Sequence, residues 1–366
     1  MIKLTEREKQ IIDLIKENPL ITQEEIAAEL NCARTSIAVH ISNLMKKGVI
    51  LGKKYIINEM PYILTIGATN IDIQGKSFGT VIRYDSNPGD VSISFGGVGK
   101  NIAENIGKMG VSSKFITALG DDIYGKDIKE YLKNQNLDIS DSLFLKNQQT
   151  SMYVSILNDD KEMEMAVSST DICKNITPVY LDSIRKKITN AKLLVVDTNL
   201  EEETLRYIAF LRRKPPIILD TVSTKKALKV KDFIGRFHTI KPNRLEAEIL
   251  SGITIYGNDD LKRVGEHFIN KGIKKVFISL GSKGVFYMSE SKNGIIKNPK
   301  INPVSTTGAG DAFVAGIAYS EFSDYDIEKA AKFATGAAIL TSLNMNTVSE
   351  QINRKNIETL IEEMEI

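Results

Sequence analysis

One carboxylate, Asp311, stands where a glycine-rich turn, Ser305-Thr306-Thr307-Gly308-Ala309-Gly310, runs into an apolar helical pattern. Glycines ahead of a helix let backbone N–H groups turn inward at the helix start, which builds a cradle for phosphate or a developing anion. An acid beside such a cradle has two readings. It can cap the helix with its own oxygen. Alternatively, it can take a proton from a hydroxyl while the cradle steadies a phosphoryl group in transfer, and a phosphotransferase needs both parts side by side. The second reading gains weight only if more of the machinery appears elsewhere in the chain.

A second glycine-rich stretch, Ser94-Phe95-Gly96-Gly97-Val98-Gly99-Lys100-Asn101, also opens a helical pattern. It is not a Walker A loop: the glycine five positions before Gly99 is missing, and Asn101 stands where Ser or Thr would hold magnesium. Nor does it carry the glycine spacing of a dinucleotide fingerprint. The elements that must position these turns read as short continuous apolar runs, each ending in a polar residue. They are Tyr62 to Gly67, Lys192 to Asp197, Pro216 to Asp220 and Lys275 to Ser279, with helical patterns between them. Buried parallel strands of an α/β fold read this way. Ligands in such folds bind beyond the carboxyl ends of the strands, where Asn70, Asp72, Asp197, Asn199, Asp220 and Gly281 fall.

Composition bounds the rest. At 366 residues the chain has room for two to three domains, and 42% apolar residues suffice for a sizeable core. A net charge of +2 points to neither a nucleic-acid nor a membrane field, and no apolar run is long enough to span a bilayer. The charged N-terminus is no secretory signal, and Cys32 and Cys173 lack metal-ligand spacing, so a cytoplasmic protein with reduced thiols is expected. Three histidines, His40, His238 and His267, leave little scope for histidine-centred catalysis.

The organisation changes near Pro61, and domains of 1–58 and 59–366 are expected. Thr5-Glu6-Arg7-Glu8 and Thr22-Gln23-Glu24-Glu25 are capping boxes, each opening a helix. A third helix runs from about Arg34 to Lys47, burying Ile37, Ile41 and Leu44, and residues 49–58 alternate like a small hairpin. This order resembles a winged helix-turn-helix. The resemblance implies that the third helix enters the major groove, with Arg34, Ser36, His40 and Asn43 facing DNA and Lys53 and Lys54 of the wing meeting phosphate. The opposing reading is a small helical accessory that touches no DNA; nine basic against seven acidic residues in this segment make a weak electrostatic footprint.

From Tyr62 to about residue 350 the chain resembles the PfkB/ribokinase family of sugar and nucleoside kinases. The residues that carry the resemblance are the two glycine signatures, the Asn-x-x-Glu element of Lys241-Pro242-Asn243-Arg244-Leu245-Glu246, and the loop Leu280-Gly281-Ser282-Lys283-Gly284. Residues 85–89 upstream of the first signature, with 238–248, look most like the pseudouridine kinases of that family. The fold implied is α/β: a mostly parallel central sheet flanked by helices, with a small β lid formed around 71–91 and 150–168. The implied activity is ATP-dependent phosphorylation of a nucleoside 5′-hydroxyl, with Mg²⁺.

Carried over by position, Asp311 is the catalytic base, and Gly308, Ala309 and Gly310 form the anion hole. Asp72 binds ribose hydroxyls, and Asn70, Gly97 and Asn101 line the sugar pocket. Ser86 and Asn87 are candidates for contacts to the base, and Glu162 for a ribose contact. Asn243 and Glu246 organise phosphates and Mg²⁺, Glu246 through water, while Thr306, Gly281 and Gly284 border the nucleotide. Family members often share their lid in a dimer, which implies a homodimer. Ser305 departs from the family, which commonly has an aspartate there to support a monovalent cation, so no such cation is carried over. Two other readings stay open: a kinase for another nucleoside or a ribose-like sugar, and a transcriptional regulator with a kinase-like sensor domain.

Overall fold

The computed structural model describes residues 4–52, 60–160 and 162–366. The chain divides into two compact units, Met1–Pro61 and Tyr62–Ile366. No helix among the described residues is long and apolar enough to cross a membrane.

In the first unit, helices Glu6–Glu17, Gln23–Glu29 and Arg34–Lys46 enclose Ile11, Ile15, Ile26, Ile37, Ile41 and Leu44. Both expected capping boxes form. The Thr5 hydroxyl accepts from the Glu8 N–H while Glu8 accepts from the Thr5 N–H, and Thr22 and Glu25 repeat the exchange. Glu8 is buried and takes an ion pair from Lys47 at 2.7 Å, tying the first helix to the end of the third. That bond holds its carboxyl below the usual range. Lys53, Lys54 and most of the expected hairpin lie outside the described residues.

The second unit is built on one sheet of eight strands. Their order is Asn293–Ile296, Val285–Ser289, Lys275–Ser279, Thr239–Lys241, Ile217–Asp220, Leu193–Asp197, Ile63–Ile66 and Ser113–Ile116. The last six run parallel, and the first two return as an antiparallel edge. Alternate residues along each strand enter opposite layers. Leu64, Leu194, Leu219 and Val276 pack on one face, and Ile63, Val195, Ile218 and Phe277 on the other. Both faces are covered, which is why these strands read as unbroken apolar runs. Helix Ala309–Phe322 is apolar all round because it is buried in the second layer beside helix Ile327–Ser342.

The lid is a separate four-stranded sheet in the order Gly89–Gly96, Asn70–Ser77, Met152–Leu157 and Met163–Ser169. Its register gives it two unlike faces. Ile93, Ile73, Val154 and Val167 line up on one, and Ser94, Asp72, Tyr153 and Ser168 on the other. Toward its outer end the apolar face lies open: Val91, Ile93, Met165 and Val167 are each more than half exposed.

Candidate active site

After strand Ile63–Ile66 the chain passes to one side of the sheet, to Ser113–Ile116, and then returns to the other side at Leu193–Asp197. This is a topological switch point, where the carboxyl ends of the strands open a crevice. The residues just past those ends assemble the site. Asp197, at the end of its strand, accepts from the Ala68 N–H at 3.0 Å and the Asn199 N–H at 2.8 Å. Burial nevertheless pushes its carboxyl up to about 6. Asp220, at the end of the next strand, lies 3.3 Å from the ammonium of Lys241, which ends the strand after that.

The two glycine signatures meet here. Asn101, in the first turn of helix Val98–Lys108, donates from Nδ2 to Asp311 Oδ2 at 2.7 Å, across 210 residues of sequence. Gly97 makes that approach possible. Its φ of +104° belongs to glycine, and a Cβ there would sit 2.5 Å from the Thr69 Cα. Asn101 Oδ1 is buried with no partner among the described residues, an acceptor left open at the site. Such an orphan has a desolvation cost that a functional role would explain.

Asp311 is not a helix cap. Gly308, in the left-handed region at φ +81°, holds the cap position of helix Ala309–Phe322, and Asp311 is its third residue, with part of its surface open. The capping reading of this aspartate is therefore set aside. Desolvation, then the neighbouring charge of Asp220, push its carboxyl up to about 7, against the pull of Asn101 and Lys241. A carboxyl that ionises near neutrality can accept a proton with useful driving force, which an ordinary surface aspartate does poorly. Of the expected anion-hole donors, the Ala309 N–H leans on the Thr306 carbonyl at a long 3.4 Å. A helix start leaves the rest of its first N–H groups without intrahelical partners.

On the lid side, Asp72 accepts from Asn70 Nδ2 and lies on the polar face. Burial raises its carboxyl, while Asn70 and the charge of Lys100 pull the other way. Lys100 is buried in a closed network: it pairs with Glu104 at 3.0 Å, whose other oxygen takes the Tyr131 hydroxyl at 2.8 Å. Sequence reasoning passed over this triad, whose only local signal is the i,i+4 spacing of Lys100 and Glu104.

Lys241, Asn243, Gly281, Gly284, Thr306, Ala309 and Gly310 line a cavity of about 740 Å³ with an apolar wall of Val285, Phe313 and Ile339. This is the size and make-up of a small-molecule pocket. The Asn-x-x-Glu element is also a capping box. Asn243 Oδ1 accepts from the Glu246 N–H, and Glu246 accepts from the Asn243 N–H and Nδ2, and from the Thr221 hydroxyl at 2.6 Å.

Three expected contacts lie apart from this cluster. Asn87 spends its amide on its own loop, donating to the Ile82 and Asp85 carbonyls and accepting from the Ile82 N–H. It lines a separate hollow of about 710 Å³ under the outer lid, and the Ser86 N–H folds back onto Asp85. Glu162 closes the turn between the last two lid strands through its backbone, and it is exposed. In the first unit, Arg34 is ion-paired with Glu24 at 2.7 Å, Ser36 is exposed, and His40 and Asn43 are half-buried.

With this sheet, lid and paired glycine signatures, the chain belongs to the pfkB family of carbohydrate kinases, whose model matches residues 60–353. It is thus a kinase of the sugar and nucleoside class, and residues 4–50 match a winged helix-turn-helix DNA-binding model. Among its relatives, the uncharacterized sugar kinase YeiI of Escherichia coli is 35% identical, over 94% of this chain and 97% of its own length. The pseudouridine kinase of the same organism is 34% identical, over 84% and 98%. The crystal structure of a sugar kinase candidate from Clostridium perfringens superposes with a TM-score of 0.75 at 38% identity, covering 84% of this chain and 96% of that one.

Proposed function

We propose that the chain transfers the γ-phosphoryl group of ATP to the 5′-hydroxyl of a nucleoside, with pseudouridine as the acceptor. The carrying observation is the Asn101–Asp311 bond, which joins the two glycine signatures and holds a carboxyl ionising near 7 next to the turn, Ala309 and Gly310, that lines the 740 Å³ cavity. Likeness to the pseudouridine kinase supports the choice of acceptor. Asp311 takes the hydroxyl proton, the acceptor oxygen bonds to the γ-phosphorus, and the bond from that phosphorus to the bridging oxygen breaks. ADP leaves with the electron pair. Asp72 accepts hydrogen bonds from the vicinal ribose hydroxyls.

Among the described residues no group of three or more acidic, His or Cys side chains could cage a metal ion. Mg²⁺ does not need one, because it keeps most of its waters and is held by one or two carboxylates together with phosphates. Glu246, buried and accepting at 2.8 Å from Nδ2 of the cavity-lining Asn243, would hold the ion through water. When bound, the ion neutralises charge on the phosphates.

The test is ADP release with ATP and a panel of pseudouridine, uridine, adenosine, ribose and fructose. Pseudouridine should give the highest kcat/KM. A panel led by another nucleoside or sugar would keep the kinase and refute the acceptor.

The winged-helix match supports a second reading, DNA binding by the first unit. The open apolar face of the lid supports a homodimer, since exposed apolar area of this kind marks an interaction surface. Sedimentation with a labelled duplex from the upstream region of its own operon tests both. A dimer mass is expected, with co-sedimentation that weakens steeply as salt rises. A monomer, or no binding at low salt, would refute the corresponding part.

A further inference from the structure

We propose that Lys241 is a further catalytic residue: its ammonium is the fixed cation of the anion hole and contacts the phosphoryl group in transfer. Lys241 ends the strand Thr239–Lys241 at the carboxyl edge of the sheet and lines the 740 Å³ cavity together with Ala309 and Gly310. A methyl built on Gly310 would come within 3.4 Å of Lys241 Nζ, so the ammonium lies against the glycine turn itself.

The charge balance calls for such a cation. Asp197, Asp220 and Glu246 are buried and Asp311 lies beside them, and the site must still admit a polyanionic triphosphate. Lys241 is the positive group that Asp311 senses among these acids, and Lys241 in turn feels Asp220, Glu246 and Asp311.

A purely structural ion pair fits less well. The Lys241–Asp220 contact is 3.3 Å, longer than the ~2.7–2.9 Å of a closed charge-assisted bond. An ammonium has three donors, and Asp220 accounts for one. The buried Lys100 shows the contrast, because it is closed onto Glu104 and the Tyr131 hydroxyl secures the other carboxylate oxygen. Lys241 instead keeps donors on a cavity wall. Buried ion pairs are in any case weak evidence for stability as their purpose.

The proposal adds no reagent to the transfer. The acceptor oxygen gains the phosphoryl group, ADP keeps the electron pair, Asp311 holds the proton, and Lys241 meets charge that shifts among the phosphoryl oxygens. It rests on the kinase reading.

Steady-state kinetics on the full chain test it, with the acceptor the panel selects. Lys241→Met should lower kcat by roughly 10²–10³-fold, the usual effect of losing one such donor. Acceptor KM and ADP affinity should stay within about threefold, because neither involves the transferring group. A kcat within threefold of wild type would overturn it, as would a loss carried by acceptor KM. Removing Lys241 strands Asp220, so the Asp220→Asn/Lys241→Met protein guards against misfolding. If the double variant melts like wild type yet stays slow, the proposal stands. If it turns over like wild type, Lys241 serves only to neutralise Asp220 and the proposal falls. A wild type that phosphorylates nothing would refute the kinase reading; a wild type that works as well as its Lys241→Met variant would refute this inference alone.

Discussion

The Asp311→Asn enzyme should bind ATP as the wild type does and turn over roughly 10²–10⁴-fold more slowly, the usual worth of a general base. The amide can still meet Asn101, so the fold around it is retained and the loss is one of proton acceptance. The pH profile supplies an independent check. Asp311 must be ionised to act, and its carboxyl is pushed up to about 7. Wild-type kcat/KM should therefore fall as pH drops below about 7, where an unperturbed aspartate would keep the rate flat to about pH 4. Stability should run the opposite way. A carboxyl raised in the folded state binds more protons there than in the unfolded chain, so it costs stability progressively between about pH 4 and pH 7. Asp311→Asn should thus melt higher than wild type at pH 8, and the gap should close toward pH 4. Near-normal turnover in this variant would remove Asp311 from the chemistry. An unchanged pH profile in wild type would mean that burial does not set its protonation.

What the sequence disclosed follows the range of the interactions involved. The strand runs and both N-terminal capping boxes were legible because each depends on neighbours within a few residues, or on burial that leaves no polar face. The glycine signatures were legible as turns, but their meeting was not. The Asn101–Asp311 bond spans 210 residues, and no spacing rule reports it. Lys241 reads in sequence as a cation ending a strand before Pro242; only the fold sets it against Gly310 and Asp220. Asn243 shows one residue serving two ends, since it caps a helix through its spacing to Glu246 and also lines the cavity. Asn87 was read from its place in the motif alone. Its amide is occupied by its own loop, a bond pattern that motif matching does not weigh.

Gly308→Ala should bring the second large loss, and it probes the cradle without touching any acid or base. Gly308 sits at φ +81°, a conformation that costs an L-residue about 1–2 kcal/mol. Its added methyl would also fall 2.0 Å from the Thr347 carbonyl oxygen. That neighbour is backbone and cannot swing aside as a side chain would, so the turn itself has to move. The N–H groups of Gly308, Ala309 and Gly310 move with it, and losing the alignment of even one anion-hole donor costs roughly 10²–10³ in kcat. The melting temperature should fall as well, and the rate loss should persist well below the melt, where the protein is folded. Gly107→Ala is the matched control. Gly107 lies inside helix Val98–Lys108, and its methyl would meet only a Leu137 side-chain carbon at an ordinary 3.5 Å. Alanine is favoured over glycine within a helix by up to about 1 kcal/mol, so this variant should be as active as wild type and at least as stable. If Gly308→Ala keeps full turnover while Gly107→Ala behaves as stated, the turn before Asp311 is a connection rather than an anion hole, and the backbone donors that steady the transferring phosphoryl group must lie elsewhere in the crevice.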